Sequence, residues 1–122
     1  MMNFRMTKQR KAILKLLDTS NKALNVDDIA MLLDDKAINL STIYRSLDLF
    51  LNDDLIKKIL LHKVPYYYLN RHSNEHYFVC EKCHQLMALP CFHDHITLLA
   101  KQENFEVSAH EMIVYGLCVN CR

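Results

Sequence analysis

With 122 residues and a net charge of +1, the chain can hold one ordinary domain or two very small ones. It is not a globally basic nucleic-acid binder, although a locally basic face stays open. No apolar run approaches the roughly 20 residues of a membrane span, and the start, MMNFRMTKQRK, lacks the apolar core of a signal peptide. A cytoplasmic protein is expected, with no membrane partner and no small-molecule substrate. In a reducing compartment, cysteine pairs speak of metal or redox chemistry before disulfides.

Composition divides the chain. All seven histidines lie from residue 62 onward and all five cysteines from residue 80 onward, whereas 10 of the 15 Lys and Arg residues precede residue 62. One Gly and two Pro leave no flexible linker. The join is expected within HKVPYYYLNRHSNEH (62–76), giving domains 1–69 and 70–122.

The first half reads as helices. TKQRKAILKLL opens on Thr7, a good N-cap, and sets Ile13, Leu16 and Leu17 on one face. NVDDIAMLL opens on Asn25, with Asp27 and Asp28 at the positive helix end and Ile29, Leu32 and Leu33 inward. STIYRSLDLFL opens on Ser41, with Ile43, Leu47 and Phe50 or Leu51 inward and Thr42, Tyr44, Arg45 and Ser46 nearer the outer face. LIKKILL and YYYL, separated by HKVP, suggest a β-hairpin.

Three short helices and a hairpin are the order of a winged helix-turn-helix, whose third helix enters the major groove. Thr42, Tyr44, Arg45 and Ser46 suit that helix, with Ser41 at its start as a further DNA contact: Arg and Ser can hold phosphates, and Tyr can touch a thymine methyl. Arg5, Lys8, Arg10, Lys11 and Lys15 form a basic patch able to meet the DNA backbone. The alternative is a solvated helical bundle with ordinary surface charge.

The second half reads as β-rich. HYFV, QLMAL, FEV and EMIVYG are expected as strands, and FHDHITLLAKQEN as a helix with Ile96, Leu99 and Ala100 on one face. Cys80 and Cys83 form one C-x2-C pair, Cys118 and Cys121 another, 34 residues apart. Four thiolates can saturate one tetrahedral zinc ion. Such a staple would tie the last strand to the first, which so small a core needs. Redox pairs, buried thiols and a rubredoxin-like iron site are the alternatives. His72, His76, His93, His95, His110 and Cys91 remain to form a second, reversible site for a divalent cation. His62 and His84 read as surface residues. No H-x-E…PCxxC or HExxH pattern points to a catalytic zinc.

These residues carry a resemblance. TKQRKAIL, STIYRSL, VCEKC and HEMIVYGLCVNC, in that order, are similar to the motifs of the ferric uptake regulator family, and the match runs along nearly the whole chain. The resemblance implies an α+β fold: an N-terminal winged helix-turn-helix domain, then a small α/β dimerisation domain with a structural zinc at Cys80, Cys83, Cys118 and Cys121. It implies DNA contacts from Tyr44 and Arg45, with Arg10 near the phosphates, and a homodimer on an inverted-repeat, double-stranded DNA operator. It also implies a regulatory metal, with His76 and His110 matching ligand positions and His93 or His95 between them. A histidine usual before the second helix is replaced here by Ala23. The usual N-terminal extension is missing, and the chain stops just after its second C-x2-C. Because the surviving site is histidine-rich and carboxylate-poor, it resembles the zinc-sensing branch most. Iron- or peroxide-sensing regulation is the alternative, and a zinc-ribbon module that binds protein is a more distant one.

Overall fold

The computed structural model describes residues 4–34, 38–71, 76–90 and 92–122. The element order is α1 (Lys8–Thr19), α2 (Val26–Leu32), α3 (Leu40–Asn52), β1 (Ile56–Leu61), β2 (Val64–Leu69), β3 (His76–Cys80), β4 (Leu86–Leu89), α4 (His93–Gln102) and β5 (Ile113–Gly116). The chain separates into two compact units, Met1–His72 and Ser73–Arg122.

In the first unit each helix is started by a side-chain oxygen. Thr7 accepts from the Arg10 amide. Asn25 and Asp28 cap one another's backbone reciprocally, at 2.7 and 3.1 Å. Asn39, not Ser41, caps α3: its side chain accepts from both the amide and the hydroxyl of Thr42. Ser41 therefore lies inside the first turn. The face of α2 also differs from the sequence expectation. Val26, Ile29 and Leu33 are buried, while Leu32 points outward beside Met31. The i, i+3, i+7 phase wins because it lets the helix lie against α3 and α1.

The core of this unit gathers Ile13 and Leu17 of α1, Val26 and Ile29 of α2, Ile43, Leu47 and Phe50 of α3, and Ile56 and Tyr67 of the hairpin. β1 and β2 pair antiparallel from Ile56↔Leu69 to Leu61↔Val64. Only His62 and Lys63 form the tip, both with positive φ (52° and 70°), the left-handed geometry that a two-residue turn requires. The HKVP segment is thus half turn and half strand. Leu24 bridges to Tyr67 through two backbone hydrogen bonds of 2.7 and 2.9 Å, which ties the α1–α2 connection to the hairpin. Helices followed by this two-stranded wing make a winged helix-turn-helix.

The second unit is a three-stranded sheet in the order β4-β3-β5. β3 and β4 pair antiparallel, while β3 and β5 run parallel from Tyr77↔Ile113 to Cys80↔Gly116. A parallel neighbour needs a crossover, which the segment containing α4 supplies. The FEV segment, expected as a strand, is irregular. α4 exists as expected, but none of its residues is buried, and Leu99 of its expected inner face is exposed. In register, Met87, Phe78 and Val114 form an exposed apolar row across the sheet.

Phe50 is wholly buried and its ring lies 5.6 Å from that of Phe4. Phe50→Ala is expected to destabilise the first unit by about 3–5 kcal/mol, measured by urea unfolding.

Candidate metal centre and nucleic-acid interface

The two C-x2-C pairs meet because β3 and β5 are parallel neighbours. Cys80 ends β3, and Cys118 follows β5 by two residues. Cys83 lies on the turn after β3, and Cys121 on the turn that closes the chain. All four Sγ atoms lie within 4.8 Å of one another. A tetrahedron built on ~2.3 Å metal–sulfur bonds has edges of about 3.8 Å, and Cys83 Sγ stands 3.7 Å from Cys118 Sγ. That is far beyond the ~2.05 Å of a disulfide. The spacing therefore fits one tetrahedral ion shared by four sulfurs.

The backbone prepares the site for negative charge. The amides of Cys83 and Cys118 both donate to Cys80 Sγ, at 3.4 and 3.5 Å. These two bonds bring the Cys80 thiol down to about 5 despite its burial. Cys121 is pushed up to about 12, chiefly by hydrogen bonding with the Cys118 sulfur and then by burial. Four sulfurs this close cannot all ionise without a cation between them. Bound zinc would supply the positive charge that lets all four act as thiolates, and the residues present fit it.

The histidines gather elsewhere in the second unit. His76, at the start of β3, is 6% exposed. Its Nδ1 accepts from the Met112 amide at 3.2 Å, and its Nε2 is buried with no hydrogen-bond partner among the described residues. The His110 ring is 4.8 Å from His76, and His93, first residue of α4, stacks on His110 at 5.8 Å. His95 is exposed and makes no ring contact with these three. Between the two histidines left open by sequence, the helix therefore delivers His93 to the cluster. The phase of α4, which decided this, could not be read from its apolar residues because none of them is buried. Among the described residues, the four sulfurs are the one ligand group already that close together; the imidazoles are gathered but not converged. His72 and Cys91, also expected as ligands, lie outside the described residues.

On the first unit, α3 presents Ser41, Tyr44 and Arg45 to solvent, with Thr42 half-buried and engaged in the cap. Ser46, expected on the outer face, is buried and donates to the Thr42 carbonyl at 2.8 Å. Lys8 is exposed on α1. Arg10 is half-buried: Nη1 donates to the Arg5 carbonyl at 2.6 Å, and its guanidinium lies over the Phe4 ring at 5.8 Å. Phe4 thus links this cation to the core through Phe50, a role that an aromatic residue ahead of the first helix did not advertise in the sequence. No helix among the described residues is long and apolar enough to cross a membrane.

The sequence profile of the ferric uptake regulator family matches residues 1–115. The chain belongs to the ferric uptake regulator family. It is 32% identical to the peroxide-responsive repressor of Staphylococcus epidermidis over 97% of this chain and 81% of that protein. Its fold is that of the ferric uptake regulator of Francisella tularensis solved with iron (TM-score 0.80, 23% identity, 99% and 96% of the two chains). It also matches a zinc uptake regulator solved with zinc and DNA (TM-score 0.65, 23% identity, 97% and 83%). As a member of this family the protein is a metal-responsive regulator.

Cys118→Ser is expected to abolish tight metal retention and loosen the joint between β3 and β5. Elemental analysis after gel filtration, with a protease-sensitivity comparison, checks both effects. A stable, zinc-loaded Cys118→Ser protein would contradict the assignment.

Proposed function

We propose that the protein is a homodimeric, zinc-responsive repressor that binds an inverted-repeat operator in double-stranded DNA. The observation that carries the zinc reading is the buried His76 ring, with a nitrogen unpartnered among the described residues, packed beside His110, on which His93 stacks. A cluster of imidazoles suits zinc better than ferrous iron or manganese. In this reading Cys80, Cys83, Cys118 and Cys121 hold a permanent zinc ion, while His76, His93 and His110 take the sensed ion. The exposed row of Met87, Phe78 and Val114 gives a second copy an apolar surface to cover. α3 reads DNA through Tyr44 and Arg45, helped by Ser41 and Thr42, with Lys8 and Arg10 on phosphates.

The hydrogen bond to His76 Nδ1 suggests how an ion is felt. A neutral imidazole that accepts at Nδ1 carries its proton on Nε2. An ion needs a bare nitrogen. It must either take the Nδ1 lone pair from Met112 or drive the proton from Nε2 to Nδ1, and both end the bond from the Met112 amide. Met112 immediately precedes β5, so capture at one side chain changes the anchoring of a strand. By linkage, a metal that favours the DNA-binding conformation must itself be bound more tightly on DNA.

A second reading, peroxide sensing, is favoured by the relatedness to the staphylococcal peroxide-responsive repressor. It requires an oxygen-rich iron site, which the three gathered rings do not provide.

Zinc should promote retention of an operator, selected from a random duplex pool, in a gel shift. Equal retention after chelation that spares the four-cysteine zinc would remove the proposal. Loss of retention on peroxide treatment of iron-loaded protein would favour the second reading instead. Tyr44→Ala and Arg45→Ala should each weaken binding, Arg45→Ala by about 1–3 kcal/mol if it reads a base. Loading the second site should also lower hydrogen-exchange protection at the Met112 amide.

A further inference from the structure

Two buried side-chain polar atoms find no hydrogen-bond partner among the described residues, and both lie in the second unit: His76 Nε2 and Thr97 Oγ1. Thr97 sits on α4 one turn after His93. Residues i and i+4 share a helix face, so the Thr97 hydroxyl lies on the side of α4 that carries His93 toward His110. A helical threonine ordinarily gives its hydroxyl to the carbonyl four residues back, here that of His93. Thr97 does not, and leaving a buried hydroxyl unpaired is unfavourable. Among the described residues the other such atom is His76 Nε2, in the ring cluster.

We infer that Thr97 is a positioning residue of the second metal site. Three imidazoles leave a tetrahedral ion one position short. The Thr97 hydroxyl hydrogen-bonds with the donor that fills that position, and so gains a partner in the loaded protein. This inference rests on the assignment of His76, His93 and His110 as ligands. It adds a residue that carries no metal-ligand signature, and it makes the hydroxyl a source of preference for the loaded state.

Thr97→Val keeps the β-branched shape and removes only the hydroxyl. A purely structural threonine would give a less stable metal-free protein. A hydroxyl waiting for a metal-site partner gives the opposite sign, because Val removes an unsatisfied buried group. The experiment uses full-length protein with the four-cysteine zinc in place. Zinc affinity of the second site is measured by competition with a chromophoric chelator, and thermal midpoint is measured with that site empty. Thr97→Val should weaken second-site affinity about tenfold while leaving the empty-site midpoint unchanged or raised. Thr97→Ser, which restores the hydroxyl, should return affinity to within a few-fold of the parent. An unchanged affinity in Thr97→Val alongside a loss in His110→Ala would overturn the role of Thr97 alone. Unchanged affinity in both variants would overturn the ligand assignment as well. A lowered empty-site midpoint in Thr97→Val would make the residue structural and overturn the inference.

Discussion

The second unit depends on one electrostatic conflict and its resolution. Four sulfurs are drawn to within 4.8 Å of one another at the ends of two neighbouring parallel strands. The Cys83 and Cys118 amides stabilise charge on Cys80, while crowding and burial oppose it on Cys121. A divalent cation removes the opposition and turns mutual repulsion into four bonds. Parallel pairing of β3 with β5 is what makes this possible. It brings residues 80 and 118 to the same end of the sheet, and each following turn returns one more sulfur.

The two units solve the stability problem differently. The first has a closed apolar core, with Ile13, Ile29, Ile43, Leu47 and Phe50 all wholly buried. Caps and close packing hold it together. The second is a three-stranded sheet with a helix that buries none of its residues, and it leaves Met87, Phe78 and Val114 in the open. Sheets this small rarely bury enough surface to stand alone. A metal staple and a partner over the apolar row are the two remedies such a unit has. The same economy suits it to sensing, since a marginal core is easily shifted by a ligand.

Much of the chemistry was legible because it resides in residue types with few other uses. Two C-x2-C pairs in a chain with five cysteines leave little choice of partner. The caps Thr7 and Asn25 and the apolar periodicity of α1 and α3 were readable for the same reason: local geometry needs local signals. Errors arose where the outcome depended on packing. Leu32 and Leu33 are equally apolar, and only contact with neighbouring helices decides which faces inward. Ser46 reads as a surface serine until its neighbours Ile43, Leu47 and Phe50 are seen to bury that face. Glu106 and Val107 have strand-like company, yet no open edge recruits them.

The sequence by itself determined the two C-x2-C pairs that meet as one sulfur cluster and the division between a basic helical half and a sulfur- and imidazole-rich half. Each follows from residue identity and short-range spacing. Only the tertiary structure decided that β5 lies parallel to β3, that His93 rather than His95 meets His110, and that His76 Nε2 and Thr97 Oγ1 are buried without partners. Those outcomes depend on strand order and on the rotation of α4 about its axis. Both are set by long-range packing, which leaves no periodic trace in a helix that fully buries none of its apolar residues.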